Sequence, residues 1–192
     1  MSAYTANTGL LTKVYFPRHV LVTSTVMSLT ATFFIELGVL TVVMLIFGGW
    51  QVLLYVLLLL PITAIMAGFV MGLGFVLSTV VVYFRDIQYL WGIITQMWFY
   101  ASGIVFPRQI VVDAQAKLAG EGWLVNGQPL PLVAVFDANP AHVFLTAYRN
   151  VLYDFAVPGW ETWLAMLLWS AGTLLVGLLV YRRYQSRIVE EL

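Results

Sequence analysis

The sequence contains no cysteine and very little charge. Only 9% of its 192 residues are Asp, Glu, Lys or Arg, and none of these types occurs in 37–84 or in 87–107. The missing cysteines exclude disulfide scaffolds and thiolate metal sites. A soluble domain has about 25% charged residues, so this chain has too little charge to cover itself in water. Since 61% of its residues are hydrophobic, we expect lipid to be its solvent.

Several catalytic signatures are also missing. No glycine-rich loop is followed by Lys and Ser or Thr, which excludes ATP hydrolysis by a P-loop. His19 and His142 lie too far apart in the sequence to suggest a metal site. No Asp pair or Ser–His pair lies within the apolar runs, which argues against an intramembrane protease. With a formal net charge of zero, nothing indicates a nucleic-acid partner. We expect no catalytic residue, no metal and no cofactor bound by this chain.

Four apolar segments are long enough to cross a bilayer, which takes about 20 residues of helix. They are 20–47, 52–82, with a tilt or bend expected at Pro61, 87–106 and 160–181. The segment between the last two, 107–159, is too polar and too rich in Pro and Gly to cross. The predicted fold class is therefore all-α, a polytopic membrane bundle of about four spanning helices.

The distribution of basic residues predicts the orientation. Four crossings place both termini on one side, and that side carries six basic residues, whereas the other carries three. The six are Lys13, Arg18, Arg85, Arg182, Arg183 and Arg187; the three are Arg108, Lys117 and Arg149. The positive-inside rule makes both termini cytoplasmic. We expect one domain, with a cytoplasmic segment 1–19, three spans in 20–106, an extracytoplasmic loop 107–159, a last span 160–181 and a cytoplasmic tail 182–192.

The pair Arg85 and Asp86 stands alone between two uncharged runs and predicts the cytoplasmic turn between the second and third spans. Arg85 can extend to the lipid headgroups while its stem stays in apolar surroundings. The pair can be punctuation of the topology alone, or, because the turn is short, a gate at the inner mouth of a transport path.

Within the outer loop, the residues after Asn139 have a helical pattern. Asn139 can cap the helix, and Pro140 suits its first position. The apolar residues recur at spacings of three and four; they are Val143, Phe144, Ala147, Val151 and Leu152. Such a helix is too short to span, so we expect it to lie on the outer surface or to enter the membrane as a re-entrant element.

Polar residues recur on one face of the first predicted span. Thr25, Ser28, Thr32 and Glu36 are spaced three and four residues apart. Because lipid offers polar groups no partner, we expect this face to look into the bundle. Glu36 then either lines a substrate path or an assembly contact, or serves as a hydrogen-bonded residue between helices.

The third predicted span has a polar and aromatic stripe, formed by Gln88, Trp91, Thr95, Trp98 and Ser102, opposite an aliphatic face. Flat aromatic rings with interleaved hydrogen-bonding groups suit the faces of sugars. Ordinary helix packing and interfacial anchoring of Trp explain the stripe equally well. In the second span, Gly68 and Gly72 form a small-residue pair that indicates close helix packing.

Four stretches together resemble the membrane subunits of ABC-2 type exporters, in the branch that moves polysaccharide, O-antigen and teichoic acid. They are "GLLTKVYFPRHVL" at 9–21, "YFRDIQYLWGIITQMWFYASGIVFP" at 83–107, "NPAHVFLTAYRNVLYDFAVPGW" at 139–160 and "LLVYRRYQSRIVEEL" at 178–192. Family members usually begin further upstream, with an interfacial helix and two earlier spans, so the resemblance implies a form that lacks these N-terminal spans. Glu36 is not expected in a generic member.

The resemblance implies a role for each matching segment. The residues that would couple to a separate ATPase subunit are Lys13, Tyr15, Phe16, Pro17 and Arg18. Arg85 and Asp86 would form the cytoplasmic gate. The predicted substrate path comprises Glu36, Trp91, Thr95, Trp98, Phe99 and Tyr100, and the outer re-entrant element is organised by Asn139, Pro140, Tyr148 and Arg149.

The function expected from this resemblance is that of a permease subunit, without catalysis of its own, in an exporter of lipid-linked polysaccharide. It would work in the bacterial inner membrane as a homodimer with two ABC ATPase subunits, which hold the ATP and Mg. Export of drugs or other lipids on the same fold is the nearest alternative. A proton- or cation-linked channel centred on Glu36 and a purely structural membrane partner are the others.

Overall fold

The computed structural model describes residues 19–84, 86–125 and 127–184. The elements in chain order are α1 His19–Gly48, α2 Val52–Tyr55, a 3-10 turn Val56–Leu58, α3 Leu59–Tyr83, α4 Ile87–Ala101, α5 Arg108–Gly120, β1 Leu124–Val125, β2 Gln128–Pro129, α6 Leu132–Asp137, α7 Pro140–Leu152 and α8 Trp160–Tyr184. The predicted coupling residues Lys13, Tyr15, Phe16, Pro17 and Arg18 lie outside the described residues, as do Arg85 and 185–192.

Three helical stretches of the described chain are long and apolar enough to cross a membrane. They are His19–Gly48, Val52–Tyr83 and Trp160–Tyr184. These correspond to the first, second and last predicted spans, and the predicted all-α membrane helix bundle is confirmed. Most side chains on His19–Gly48 and Trp160–Tyr184 are exposed in the single chain, as expected of apolar surfaces that face lipid or other helices rather than water. Most of those on Val52–Tyr83 are buried or partly buried.

The second span changes helix type where proline requires it. Pro61 has no N–H, so the carbonyl of Leu57, four residues earlier, loses its helical partner. The backbone tightens into a 3-10 turn at Val56–Leu58 before α3 begins. The irregular turn associated with Pro61 therefore lies just before it in the helix.

Helix α3 is the centre of the bundle, and glycines let α8 approach it closely. A Cβ added to Gly72 would fall on the backbone of Thr173, and one added to Gly177 would fall on the carbonyl of Gly72. A Cβ on Gly68 would come within 2.6 Å of the hydroxyl of Ser170. The packing predicted for Gly68 and Gly72 is thus present, and it joins α3 to α8.

The third predicted span is shorter than expected. Helix α4 ends at Ala101 and is followed by turns and bends to residue 106, so its 15 residues extend only about 22 Å. The apolar run continues to Pro107, but Gly103 has a φ of +86°, a conformation that ends a helix. The third predicted crossing is thus not made by one continuous helix.

The outer segment holds more structure than predicted. Helix α5 and the short helix α6 flank a two-residue hairpin in which Leu124 pairs with Pro129 and Val125 with Gln128. Gly127, between the two strands, has a φ of +76°. Helix α7 confirms the helix predicted after Asn139, and its five apolar residues at the predicted spacing are all buried.

Helix α7 packs alongside the spanning helices and not only at their ends. At its outer end, a Cβ on Gly48, the last residue of α1, would lie 2.9 Å from Cζ of Phe155. At its other end, Nε1 of Trp169 donates to the carbonyl of Ala138 at 3.0 Å. Trp169 lies nine residues after the start of α8, which is about 14 Å along the helix. Helix α7 therefore begins near the middle of the spanning helices and runs outward.

The predicted orientation of the polar face of α1 is wrong. Ser28, Thr32 and Glu36 are exposed, because the face toward α3 is occupied by Val22, Val26, Leu37 and Thr41, which are buried. The hydroxyl of Thr32 donates to the carbonyl of Ser28 at 3.2 Å, so its hydrogen bond is made within α1. Only Thr25 of this face is partly buried.

Candidate functional site

Helices α4 and α7 meet end to end beside the middle of α3. The ring of Trp98, near the end of α4, lies 6.4 Å from that of Phe69, and the ring of Phe144, in α7, lies 5.6 Å from the same Phe69. Helix α4 starts next to the end of α3 and runs back along it, whereas α7 continues outward. The two helices together follow α3 along most of its length, with a break between them.

Side chains of α7 and its cap satisfy the carbonyls at the open end of α4. The last carbonyls of a helix have no partner within it, and lipid supplies none. Asn139 Nδ2 donates to the carbonyl of Ala101 at 2.9 Å, His142 Nδ1 lies 3.1 Å from that of Ser102, and Arg149 donates to that of Gly103 at 3.2 Å. Three successive carbonyls are thus bound by three side chains, so that a broken helix is tolerated at this depth.

Asn139 connects the two half-helices most directly. Its Oδ1 accepts from the backbone N–H of Ala141 at 3.0 Å, which is the N-cap bond of α7. The same oxygen accepts from Nε1 of Trp98 at 2.7 Å. Because Nδ2 binds the carbonyl of Ala101, the amide side chain uses both of its ends. Asn139 therefore caps α7 and holds the end of α4 at once.

The turn after α4 leaves no room for a side chain at Gly103. A Cβ there would come within 2.8 Å of His142 Nδ1 and 3.0 Å of Phe136 Cζ. The positive φ of Gly103 would strain any other residue as well. His142 and Phe136 are packed together, with ring centroids 4.5 Å apart. The junction is thus tightly packed on its α6 side.

Tyr148 connects α7 to α1 and α3 through a hydrogen bond and a ring contact. Its hydroxyl lies 3.0 Å from Oγ1 of Thr63 in α3, a residue with no solvent exposure. Its ring also packs edge-on against Phe33 of α1, at 5.7 Å between centroids. The predicted role of Tyr148 in organising the outer element stays a prediction, but its position between α1, α3 and α7 suits that role.

The aromatic stripe of α4 faces α3 across two adjoining cavities. One, of about 390 Å³, lies between the N-terminal half of α1 and the C-terminal half of α3; its walls include Val22, Thr25, Leu29, Leu77 and Trp91. The other, of about 370 Å³, lies at the junction; its walls include Val70, Thr95, Trp98, Phe99, Ser102 and Tyr148. Val70 lines both. Their walls are aromatic and aliphatic with few hydroxyls, which fits an amphiphilic or ring-shaped ligand better than an ion.

A polar pocket lies on the other side of α7, and α7 separates it from these cavities. Its walls include Arg108, Asp137, His142, Thr146, Glu161 and Thr162. Arg108 binds Asp137 through Nε at 2.8 Å and through its terminal nitrogen at 2.6 Å. These hydrogen bonds lower the pKa of Asp137 below the ordinary 3.8, so this carboxylate stays ionised at any physiological pH.

Some predicted site residues lie apart from the junction. Tyr100 lies outside the cavity walls, on the far side of α4, where its ring contacts Phe99 at 5.7 Å and Phe106 at 6.3 Å. Asp86 is exposed in the turn before α4, and its carbonyl accepts from Tyr89 and Leu90. Glu36 is exposed on α1 and has no hydrogen bond within the part of the chain that the structure describes. The structure therefore brings together Trp91, Thr95, Trp98, Phe99, Asn139, Pro140, Tyr148 and Arg149.

The residues that sequence reasoning missed are His142, Gly103, Phe136 and Trp169. His142 and Gly103 lie in the motifs that carried the family resemblance, but no local pattern shows that they touch each other 39 positions apart. Trp169 was expected only as a residue of the last span. Gly103 contacts His142 and Phe136, and Trp169 contacts Ala138, in each case more than thirty positions away in the sequence. The only local signal was therefore a glycine that follows an apolar helix.

The comparison with known proteins agrees with the class that the motifs indicate. The chain is 27% identical over 179 residues to the O-antigen export system permease protein of Myxococcus xanthus. The match covers 90% of this chain and 63% of the relative, so the chain spans less than two thirds of the length of that relative. No family model matches the chain, and no solved structure matches it. The predicted resemblance to polysaccharide-export permeases is confirmed.

Proposed function

We propose that this chain is the membrane permease subunit of an ABC exporter that moves a lipid-linked polysaccharide across the bacterial inner membrane. It would not catalyse a reaction, and a separate ATPase subunit would hold ATP and Mg. The similarity to an O-antigen export permease over most of the chain supports this proposal. The whole exporter would contain two copies of the permease and two ATPase subunits.

The observation that carries the proposal is the break between α4 and α7. A continuous helix would form a fixed wall, whereas two half-helices joined by side-chain hydrogen bonds can separate. The polar links at the break are Asn139, His142 and Arg149. Helix α7 stands between the apolar cavities at α3 and the polar pocket beside α8. Movement of α7 would therefore join the two, and it would serve as an outer gate.

The cavities suggest which part of a lipid-linked glycan each region contacts. Trp91 and Trp98, whose rings are 6.4 Å apart and nearly perpendicular, offer flat faces to the apolar side of a sugar ring. The aliphatic wall formed by Val22, Leu29 and Leu77 suits an alkyl chain. The same walls would accept another lipid or an amphiphilic drug, so export of such a molecule is the second candidate.

Transport into inverted membrane vesicles tests the proposal. Vesicles that contain the chain and its ATPase should take up a radiolabelled lipid-linked glycan only when ATP is supplied, and Trp98→Ala should reduce the initial rate about tenfold or more. Trp123→Ala, at an exposed position after α5 that lines neither cavity, is the matched control. ATP-dependent uptake of an unrelated amphiphile but not of any glycan would favour the second candidate, and no ATP-dependent uptake at all would contradict both.

Coupling to the ATPase is tested separately. We expect Phe16→Ala and Arg18→Glu to uncouple ATP hydrolysis from transport, because the family resemblance implies that these residues contact a groove of the ATPase. His19→Asn, at the adjacent start of α1, is the matched control. If both variants export at the normal rate and still co-purify with the ATPase, the proposed coupling role is wrong.

A further inference from the structure

His142 lies at the α4–α7 junction with its two ring nitrogens in different surroundings. Nδ1 is 3.1 Å from the carbonyl oxygen of Ser102, and Nε2 is 3.9 Å from Oδ1 of Asp137. A carbonyl oxygen can only accept, so the proton of the neutral ring must be on Nδ1. The lone pair of Nε2 then points toward a carboxylate, and two acceptors face each other.

A second proton on the ring turns the repulsive contact between Nε2 and the Asp137 carboxylate into an attractive one. Nε2–H would become a charged donor directed at the Asp137 carboxylate, while Nδ1–H keeps its bond to Ser102. The ring of Phe136 packs against that of His142, with centroids 4.5 Å apart, and keeps the imidazole in this position. The doubly protonated ring therefore binds α4 through Ser102 and α6 through Asp137 at the same time.

Charged groups of both signs lie near His142, and they repel or attract a positively charged ring. Arg108, in α5, binds the same Asp137 carboxylate and disfavours a second cation, as does Arg149 on α7, which binds the neighbouring carbonyl of Gly103. Glu161, in the first turn of α8, lines the same pocket and favours the cation. Among the described residues of α3 and α4, none that borders this junction is charged.

We propose that His142 is a positioning residue for the outer gate, and that protonation of its ring from the outer side locks α7 against α4. Histidine is the side chain whose charge changes between about pH 5 and 8, and the polar pocket that contains His142 gives protons a route to it. Acidification outside would hold the gate closed and slow export. This inference rests on the proposed function only in its consequence for export; the lock itself is a property of the junction.

The labelling rate of a single cysteine tests the proposed lock without a transport assay. The chain has no cysteine of its own, so Leu145→Cys, in the wall of the junction cavity, gives one reactive site. Full-length chain with its ATPase, in cell membranes, is treated with an impermeant thiol reagent from the outer side between about pH 8 and about pH 5.5. The labelling rate is divided by the rate of the same cysteine in a His142→Asn chain, which cancels the ionisation of the thiol. The amide of Asn can replace the Nδ1–H donor to Ser102 but cannot take up a proton.

We expect this ratio to fall about threefold on acidification, the size of effect that a partly exposed ion pair supports. Asp137→Asn, which removes the carboxylate that faces Nε2, should remove most of the fall. If His142→Asn does not fold, the Asp137→Asn chain with the same cysteine takes its place as the denominator, and the same fall is expected. His19→Asn, which removes the other histidine, should leave it unchanged. A ratio that is constant with pH, or that falls equally in the Asp137→Asn chain, would overturn the proposal. If no variant exports any glycan, the proposed function fails and the labelling ratio still decides the lock.

Discussion

The indole Nε1 of Trp98 donates a 2.7 Å hydrogen bond to Oδ1 of Asn139, and this bond joins the end of α4 to the start of α7. Trp98 belongs to the aromatic stripe, and Asn139 is the helix cap, so one contact connects the predicted substrate path with the predicted outer element. Because the same oxygen also caps α7, loss of Asn139 affects both helices.

A double-mutant cycle measures this link. Trp98→Phe keeps the ring against Phe69 and removes only the donor, so we expect it to lower the free energy of unfolding in mixed micelles by about 1 kcal/mol. Asn139→Ala removes the cap and two further bonds, and should cost at least about 2 kcal/mol. The two changes together should cost about 1 kcal/mol less than their sum. Strict additivity would mean that the bond does not contribute.

Close packing of α3 on α8 predicts a sharp difference between two glycines. Gly72→Ala places a Cβ on the backbone of Thr173, and such overpacking should lower the free energy of unfolding by about 1–3 kcal/mol or more. Gly172→Ala is the control, because a Cβ there has nothing within 4 Å, and alanine is the better helix former. Equal unfolding free energies for the two variants would contradict the described α3–α8 contact.

The Arg108–Asp137 pair predicts how α5 and α6 respond to acid. The hydrogen bonds from Arg108 lower the pKa of Asp137 in the folded chain below its ordinary value of 3.8. The contribution of the pair is therefore present above that ordinary value and is lost as the pH falls through the lower, folded value. Hydrogen exchange of the α6 amides, compared with Asp137→Asn at each pH, should show a constant difference down to about pH 4. A difference that disappears between neutral pH and about pH 5 would show that the pair is not formed.

The spanning helices were predictable because the bilayer imposes them. A long apolar run without charge has to be a helix of membrane length, and α1, α3 and α8 follow from that requirement alone. The cap and the apolar face of α7 were predictable for a different reason, since Asn139, Pro140 and the three- and four-residue spacing are local signals.

The break after α4 was not predictable from hydropathy, because the apolar run continues past it. The positive φ of Gly103 ends the helix. Asn139, His142 and Arg149, about forty positions away in the sequence, bind the carbonyls at and just after its end. The inward orientation expected for Glu36 failed because a charge in an apolar run shows only that a partner is needed. Its spacing does not show whether that partner lies within the same chain.

The depth of Ala138 in the bilayer tests the re-entrant junction most directly. Nitroxide labels on single cysteines at Ala138, Leu168 and Tyr153, in the otherwise cysteine-free chain, can be compared by collision with oxygen and with a water-soluble relaxant. Because Trp169 donates to the carbonyl of Ala138, we expect the label at 138 to lie as deep as the one at 168, with the label at 153 near the outer surface. A label at 138 as shallow as the one at 153 would contradict the re-entrant helix and, with it, the outer gate.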